Sequence, residues 1–502
     1  MAYSTHPAKD VASRMLSFHR ARVAHGTVVG CTLAVALTSA VLPLLPVPLH
    51  AQPRTLTPGV QRYVTVNASV VALTHVRLVD GTGAPARTDQ TVIIAGTQIQ
   101  SVGPSATTTI PAGAEILDLT NHTVLPGQVG LHEHTYFGGV RRLTEMSVSG
   151  PLLYLASGVT TAMTAGSQLP YHELNLKHAV DAGVLPGPRF LVTGPYLNGG
   201  PPRNAMSRNV SSPDEVRRVI AYWASEGATW FKFLGAVRRD VLRAAIEEAH
   251  SRGLKVTGHL CSVTFTEAAS LGIDLLQHGF ITNSDYVADK RPDECPSGNM
   301  RVQADVDEKS PAVQASIRAI VASGAAAVST LGVYETFMPD RAQLDPRALE
   351  MLDSDTRKEV EATHANLAQG GLVVPPRLLQ KMMAWERDFV AAGGLLGAGS
   401  DPWGTGFLPG FGNLRNYELL LEAGFRPEQA IQIMTLNGAR ILGMEKQVGS
   451  IVPGKLADLM VVRGNPLATA TEIYNVVTVF KDGIGYDANR LRQAARGRVG
   501  VD

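Results

Sequence analysis

The chain is short of charge, of cysteine and of aromatic rings. Charged residues make up 18% of its 502 positions and nearly cancel, 45 basic against 44 acidic, for a formal net charge of +1. Such a balance gives no reason to expect a polyanion partner. A nucleic-acid binder of this size would show a basic face, and none is visible, so DNA and RNA are set aside. Three cysteines are too few for a disulfide framework. Cys31 falls in the leader described below, and Cys261 and Cys295 are either paired in an oxidising compartment or two free thiols. No period of about 20–50 residues recurs, which excludes a solenoid. What the chain does have is 45% hydrophobic residues, punctuated by 49 glycines and 30 prolines. It can bury a large core, so neither disorder nor a fibre fits.

Arg14, Arg20 and Arg22 precede an almost uncharged stretch from Thr27 to Leu49, which closes on Pro48-Leu49-His50-Ala51-Gln52. A positive start, an apolar centre and a small residue before a polar one describe a secretory signal peptide, cut after Ala51. Pro43, Pro46 and Pro48 shorten any helix there, so a membrane anchor is the weaker reading. The mature protein is expected to be secreted or periplasmic, with no stable membrane span. Residues 1–51 carry four basic groups against Asp10, so the remainder is net negative by two.

Short β-like runs follow a polar linker, at Val70 to Leu78, Val92 to Ile94 and Ile99 to Val102, with Gly81, Gly83, Gly96 and Gly103 between them. The same texture returns at Ala457 to Val462 and Val476 to Phe480. In between, strand-like and amphipathic helical stretches alternate. The strand candidates are 123–125, 160–164, 190–193, 230–233, 255–257, 275–276, 326–330 and 395–398. Eight such units imply a parallel sheet closed into a (β/α)8 TIM-type barrel. The expected α/β organisation is a signal peptide over 1–51, a linker over 52–67, and a small β-sandwich domain built from 68–122 and 444–490. The barrel occupies 123–443, a long loop runs over 282–310, and 491–502 is a tail.

In a barrel, chemistry gathers where strands end and loops begin. Strand one runs into Gly130-Leu131-His132-Glu133-His134, and alternation places His132 and His134 on one side, where two imidazoles can share a metal. Strand four holds Lys232 between Phe231 and Phe233. Strands five, six and eight end at His259, His278 and Asp401. Any one of these has an ordinary structural explanation. Their joint appearance at successive strand ends points to a metal site.

The chain resembles the amidohydrolase superfamily, most of all its imidazolonepropionase/prolidase-type branch. The resemblance rests on Leu125-Pro126-Gly127 ahead of His132-x-His134, on Gly158-Val159-Thr160-Thr161, Gly187-Pro188-Arg189 and Gly227 to Lys232, and on Ala249-His250-x-x-Gly253. Further marks are Gly258-His259, Gln277-His278-Gly279, Gly399-Ser400-Asp401 and Gly449 to Asp458. The last string has no catalytic reason to appear. The resemblance implies that Lys232 is carboxylated by CO2 and bridges two divalent metals, zinc with manganese or cobalt as alternatives. One is held by His132, His134 and Asp401, the other by His259 and His278. The chain departs from the family in having Gly130 where an aspartate is usual, Gln277 where glutamate is common, and Ser400 for threonine.

Two dications close together lower the pKa of a water between them, one metal polarises a carbonyl, and Asp401 can move the proton to the leaving group. The expected function is hydrolysis of C–N bonds in small amides, dipeptides or N-acyl amino acids. An esterase, lactonase or phosphotriesterase would use the same ligands, and so would a cyclic-amidine hydrolase in part. A non-catalytic barrel predicts missing ligands, and none is missing. At the mouth, Tyr136 and Arg238 are candidate substrate contacts. Arg238 would grip a carboxylate, or else, with Arg239, cap the next helix. A homo-oligomer is expected.

Overall fold

The computed structural model describes residues 56–138, 143–200, 207–338, 340–341, 344–370 and 374–502. The expected signal peptide lies outside the described residues. Eight short parallel strands carry the middle of the chain: β1 (Gln128–Glu133), β2 (Val159–Thr164), β3 (Arg189–Leu191), β4 (Trp230–Phe233), β5 (Lys255–Gly258), β6 (Leu275–Leu276), β7 (Ala326–Ser329) and β8 (Leu396–Ala398). They pair in the order β3-β2-β1-β8-β7-β6-β5-β4, and two further short segments, Leu197–Asn198 and Arg208–Asn209, extend the sheet to ten strands beyond β4. The β3 and β4 ends also meet, because Gly194 N donates to Trp230 O at 2.9 Å and Thr229 N to Val192 O at 3.0 Å. The sheet is therefore curled into a TIM-like wall. Nearly every strand residue is buried, which is why these strands appear in the sequence as apolar runs rather than alternations.

Helices return the chain between strands. Pro213–Glu226 shows how the sequence sets one: Ser212 accepts from Glu215 N, proline stands at the first turn, and Gly227 ends it at φ 106°. The next, Arg239–Ser251, turns Val241, Leu242, Ala244, Ala245, Ile246 and Ala249 inward, the helical spacing visible in the sequence.

Segments from both sides of the barrel join one nine-stranded mixed sheet. Val64–Val66, Val70–Leu78, Arg87–Ala95, Gln98–Pro104, Glu115–Asp118 and His122–Pro126 meet Leu459–Arg463, Val476–Lys481 and Ile484–Asp487. Three boundaries differ from expectation. The stretch 123–125 is not a barrel strand: His122–Pro126 pairs antiparallel with Leu459–Arg463. Val124 packs into the core of the end sheet and Leu125 into the core that includes the barrel helices, so both faces are apolar and the run imitates a barrel strand. Part of the 52–67 linker is structured, as helix Pro58–Gln61 and strand Val64–Val66. Within the 491–502 tail, helix Ala488–Ala495 continues and the Asp502 carboxylate accepts from Val148 N, Ser149 N and Ser149 Oγ. The 282–310 loop contains helix Asn299–Asp305, and Cys295 within it is disulfide-bonded to Cys261.

Arg189 ties the sheet to the barrel floor. Its guanidinium donates to Thr161 Oγ1 at 3.0 Å, to Asp458 Oδ2 at 2.9 Å and to Asp482 Oδ1 at 2.6 Å. Arg189→Met takes the guanidinium from two buried carboxylates, of which Asp482 keeps Lys481 Nζ at 3.1 Å and Asp458 the N–H of Asp482, and is expected to destabilise the protein by about 3 kcal/mol. Denaturant unfolding checks this, against Arg217→Met as the exposed control.

Candidate active site

The strand ends bring the predicted residues to one place. His134 Nε2 lies 3.1 Å and His132 Nε2 3.5 Å from Asp401 Oδ1, and His278 Nδ1 lies 3.7 Å from Asp401 Oδ2. One ligand atom each of His132, His278 and Asp401 fits within 4.8 Å. His259 joins through its ring, 4.5 Å from that of His278. Lys232 is buried beside them, and its charge acts on His132 and His278.

The electrostatics suit cation ligation. Burial, then the nearby Lys232 and neighbouring imidazoles, holds His132 well below the usual histidine range, and burial followed by His259 does the same to His278. Both rings are thus neutral donors at pH 7. Burial also brings Lys232 down to about 7, against a partial opposing pull from Asp401. Gln277 Oε1 lies 2.6 Å from His132 Nδ1 and its amide donates to Thr257 Oγ1. This orientation makes Nδ1 the protonated nitrogen and leaves Nε2 facing Asp401. Thr330 Oγ1 lies 2.8 Å from His278 Nδ1.

Glu133, the middle residue of His-x-His, was given no role by sequence reasoning, and the structure places it against Asp401's neighbour Ser400. It is fully buried, accepting from the Ser400 hydroxyl, from Ser400 N at 3.3 Å and from Asn413 Nδ2 at 2.7 Å. A Cβ at position 130 would sit 2.2 Å from its Oε1. Gly130 is therefore the opening that Glu133 fills, and the missing aspartate is answered by a carboxylate from the same strand. Through Ser400 it braces Asp401, which has φ +50° and donates its N–H to His132 O at 2.8 Å. Gly399 permits that approach: a Cβ there would lie 2.4 Å from His132 N. His278 also has a left-handed φ, +66°. Non-glycine residues held so are strained, and such strain gathers at functional sites.

Of the two substrate-contact candidates, Tyr136 is buried at the site. Its ring stacks on His134 at 4.6 Å and its hydroxyl pairs with that of Tyr196 at 2.7 Å. Tyr196 OH in turn lies 3.5 Å from His134 Nε2. Arg238 is not brought to the cluster. It is exposed at the start of helix Arg239–Ser251, engaging Asp240 in an open groove with Arg217, Arg239 and Arg243. Arg238 stands at the N-cap position of that helix without a capping hydrogen bond from its side chain, and its guanidinium is engaged by Asp240 two residues on. Tyr334, its ring 5.4 Å from that of His278, follows strand β7, where no ligand pattern marked it in the sequence. Glu133→Ala is expected to lower kcat at least about tenfold while KM changes little, and Glu133→Gln, which keeps most of the hydrogen bonds, to recover much of it. Steady-state kinetics at matched metal content checks both.

Residues 390–484 match the model of the amidohydrolase family. An adenine deaminase from Mesorhizobium japonicum is 41% identical over 82 residues, 16% of this chain, and one from a Jannaschia species is 32% identical over 92. The chain spans 11% and 15% of the length of these curated relatives. Among solved structures, a Xaa-Pro dipeptidase with bound methionine in its active site is 20% identical with a TM-score of 0.61, over 84% of this chain and 100% of that one. Aspergillus niger ochratoxinase is 16% identical with a TM-score of 0.61, over 86% and 99%. At these identities the structural likeness speaks for the fold. The family match covers strand β8, with Asp401 just beyond it, and part of the end sheet, and over that stretch the chain resembles the amidohydrolase family.

Proposed function

We propose that the protein is an exported, binuclear metal-dependent hydrolase of C–N bonds in small amides such as dipeptides or N-acyl amino acids. The observation that carries this reading is the convergence of buried imidazoles on Asp401, those of His132 and His278 held neutral by burial, beside a lysine whose ammonium is destabilised. The donor set fits divalent ions of the zinc, manganese or cobalt type. His132, His134 and Asp401 would hold one, His259 and His278 the other, with Lys232 as a carbamate shared between them. Bound there, such ions would make ionised water available near neutral pH and polarise a carbonyl.

The chain's own residues supply the rest. Asp401 is positioned by Glu133 and Ser400 to take a proton and return it to the departing amine. Gln277 keeps His132 in one tautomer. Desolvation of Lys232 maintains the neutral amine that CO2 requires, whereas an exposed lysine with its usual pKa near 10.5 would hold almost none at pH 7. The Cys261–Cys295 bond supports export, since structural disulfides persist in oxidising compartments. No helix among the described residues is long and apolar enough to cross a membrane. The adenine deaminase likeness favours a cyclic-amidine substrate as the second reading; a carboxylated Lys232 would weigh against it.

Elemental analysis of metal-supplemented protein is expected to give two divalent ions per chain, and one or none would reject the binuclear reading. Carbon NMR after incubation with labelled bicarbonate is expected to show a carbamate resonance that Lys232→Ala lacks. Asp401→Asn is expected to retain much of the metal and lose about 10²–10⁴-fold in turnover, measured on a panel of dipeptides and N-acyl amino acids; turnover within about tenfold of the parent would remove the proton-transfer role.

A further inference from the structure

Beside the loops that carry the ligand cluster lies a cavity of about 760 Å³, in the size range of small-molecule sites. The loop after β7 lines it with Glu335 and Thr336, and the loop after β8 with Thr405 to Leu408. The two loops are latched together where Thr405 Oγ1 donates to Thr336 Oγ1 at 2.8 Å. None of the proposed metal ligands lines this space. A second cavity, of about 240 Å³, adjoins it and shares Arg347, Phe411 and Tyr474. It reaches helix Ala488–Ala495, which contributes Arg492.

The charges around the larger cavity are arranged by depth. Glu335, Glu418 and Asp345 are 7%, 16% and 26% exposed, whereas the guanidiniums they hold, Arg341, Arg415 and Arg347, are 31%, 34% and 55% exposed. The carboxylates are sunk beneath their partners, so the open space meets mainly cations. Arg347 spends Nε and Nη2 on Asp345 and lies 4.0 Å over the Tyr474 ring. That leaves Nη1 without an acceptor among the described residues. Arg492 is a second guanidinium with spare capacity. It donates to Ala156 O at 3.2 Å and to Val476 O at 3.1 Å, and among the described residues no carboxylate pairs with it. Burial holds it below the usual arginine range, Asp487 opposes that shift, and Arg347 adds to it. Two guanidiniums that repel each other in a half-buried space are relieved by an anion between them.

Five arginines and four carboxylates line the two cavities together, which leaves one cationic charge in surplus. That surplus matches a carboxylate better than a doubly charged phosphate. Leu344, Phe407, Leu408 and Phe411 add an apolar wall.

We propose that the double cavity is a binding site for a small organic acid with an apolar body, its carboxylate held between Arg347 and Arg492 and its body against Phe411 and Tyr474. The site is separate from the ligand cluster and does not depend on the reaction proposed there. Its walls nevertheless continue into that cluster. Tyr334, whose ring packs on His278, directly precedes Glu335, and Asp401 heads the loop that carries Thr405.

The test is calorimetric titration of the metal-loaded full chain with phenylacetate, and with 2-phenylethanol as the neutral control. The parent protein is expected to bind phenylacetate saturably and at least about tenfold more tightly than the alcohol, the scale of a charge-assisted hydrogen bond. Arg347→Met, which changes an exposed side chain, is expected to weaken phenylacetate by about tenfold or more and to leave the metal content unchanged. Arg492→Lys keeps the charge, loses the paired donors and is expected to weaken it as well. Phenylacetate binding that survives Arg347→Met unchanged would place the anion elsewhere, at the metal cluster, and overturn the proposal. A parent protein that binds the acid no better than the alcohol would overturn it too, whatever the folding of the variants. Selective binding lost in Arg347→Met, in a protein that hydrolyses no amide, would keep this site and discard the amide reading.

Discussion

The contact between Arg189 and the pair Asp458 and Asp482 is the constraint on which the architecture depends. A guanidinium and two carboxylates, joined by the Lys481 ammonium on Asp482 and all largely out of water, hold one another in place. It fastens the start of β3 to the end sheet, and Thr161 of β2 is held by the same group. The consequence reaches the site, because β1 lies between β2 and β8. Fixing the floor of β2 and β3 fixes the inclination at which β1 delivers His132 and His134. Gly187-Pro188-Arg189 and the Gly449 to Asp458 string, motifs with no catalytic task, meet each other in space at this point.

The convergence of His132, His134, Lys232, His259, His278 and Asp401 was legible in the sequence because each is announced locally, by a short strand and a glycine or paired histidine at its end. Glu133 was not, although it is central to the motif. Its role depends on the empty place at Gly130 and on Ser400 and Asn413, contacts that only the folded chain creates. The strand at 122–126 misled because burial on both faces erases the alternation that separates a sheet edge from a barrel wall. The expected parallel sheet nevertheless forms and curls, with β1 in the place that 123–125 was expected to fill.

Asp401 and His278 share an unusual property. Both carry left-handed backbone angles at the end of a strand, at residues whose side chains face the same space. Neither has the freedom of glycine, so surrounding bonds must hold them: the N–H of Asp401 on His132 O, and the hydroxyl of Thr330 beside the His278 ring. Strain of this kind is retained where geometry matters more than stability.

The pairing of His122–Pro126 with Leu459–Arg463 also sets a schedule. A ribosome that has made the first strands and the entire barrel has yet to supply the partner for one edge of His122–Pro126. Until those last segments arrive, that edge presents open backbone donors and acceptors, a template for pairing with another chain. Loop closure over more than three hundred residues is slow relative to local contacts. Closure of this edge is therefore a late event, and it stays open while the whole barrel is synthesised.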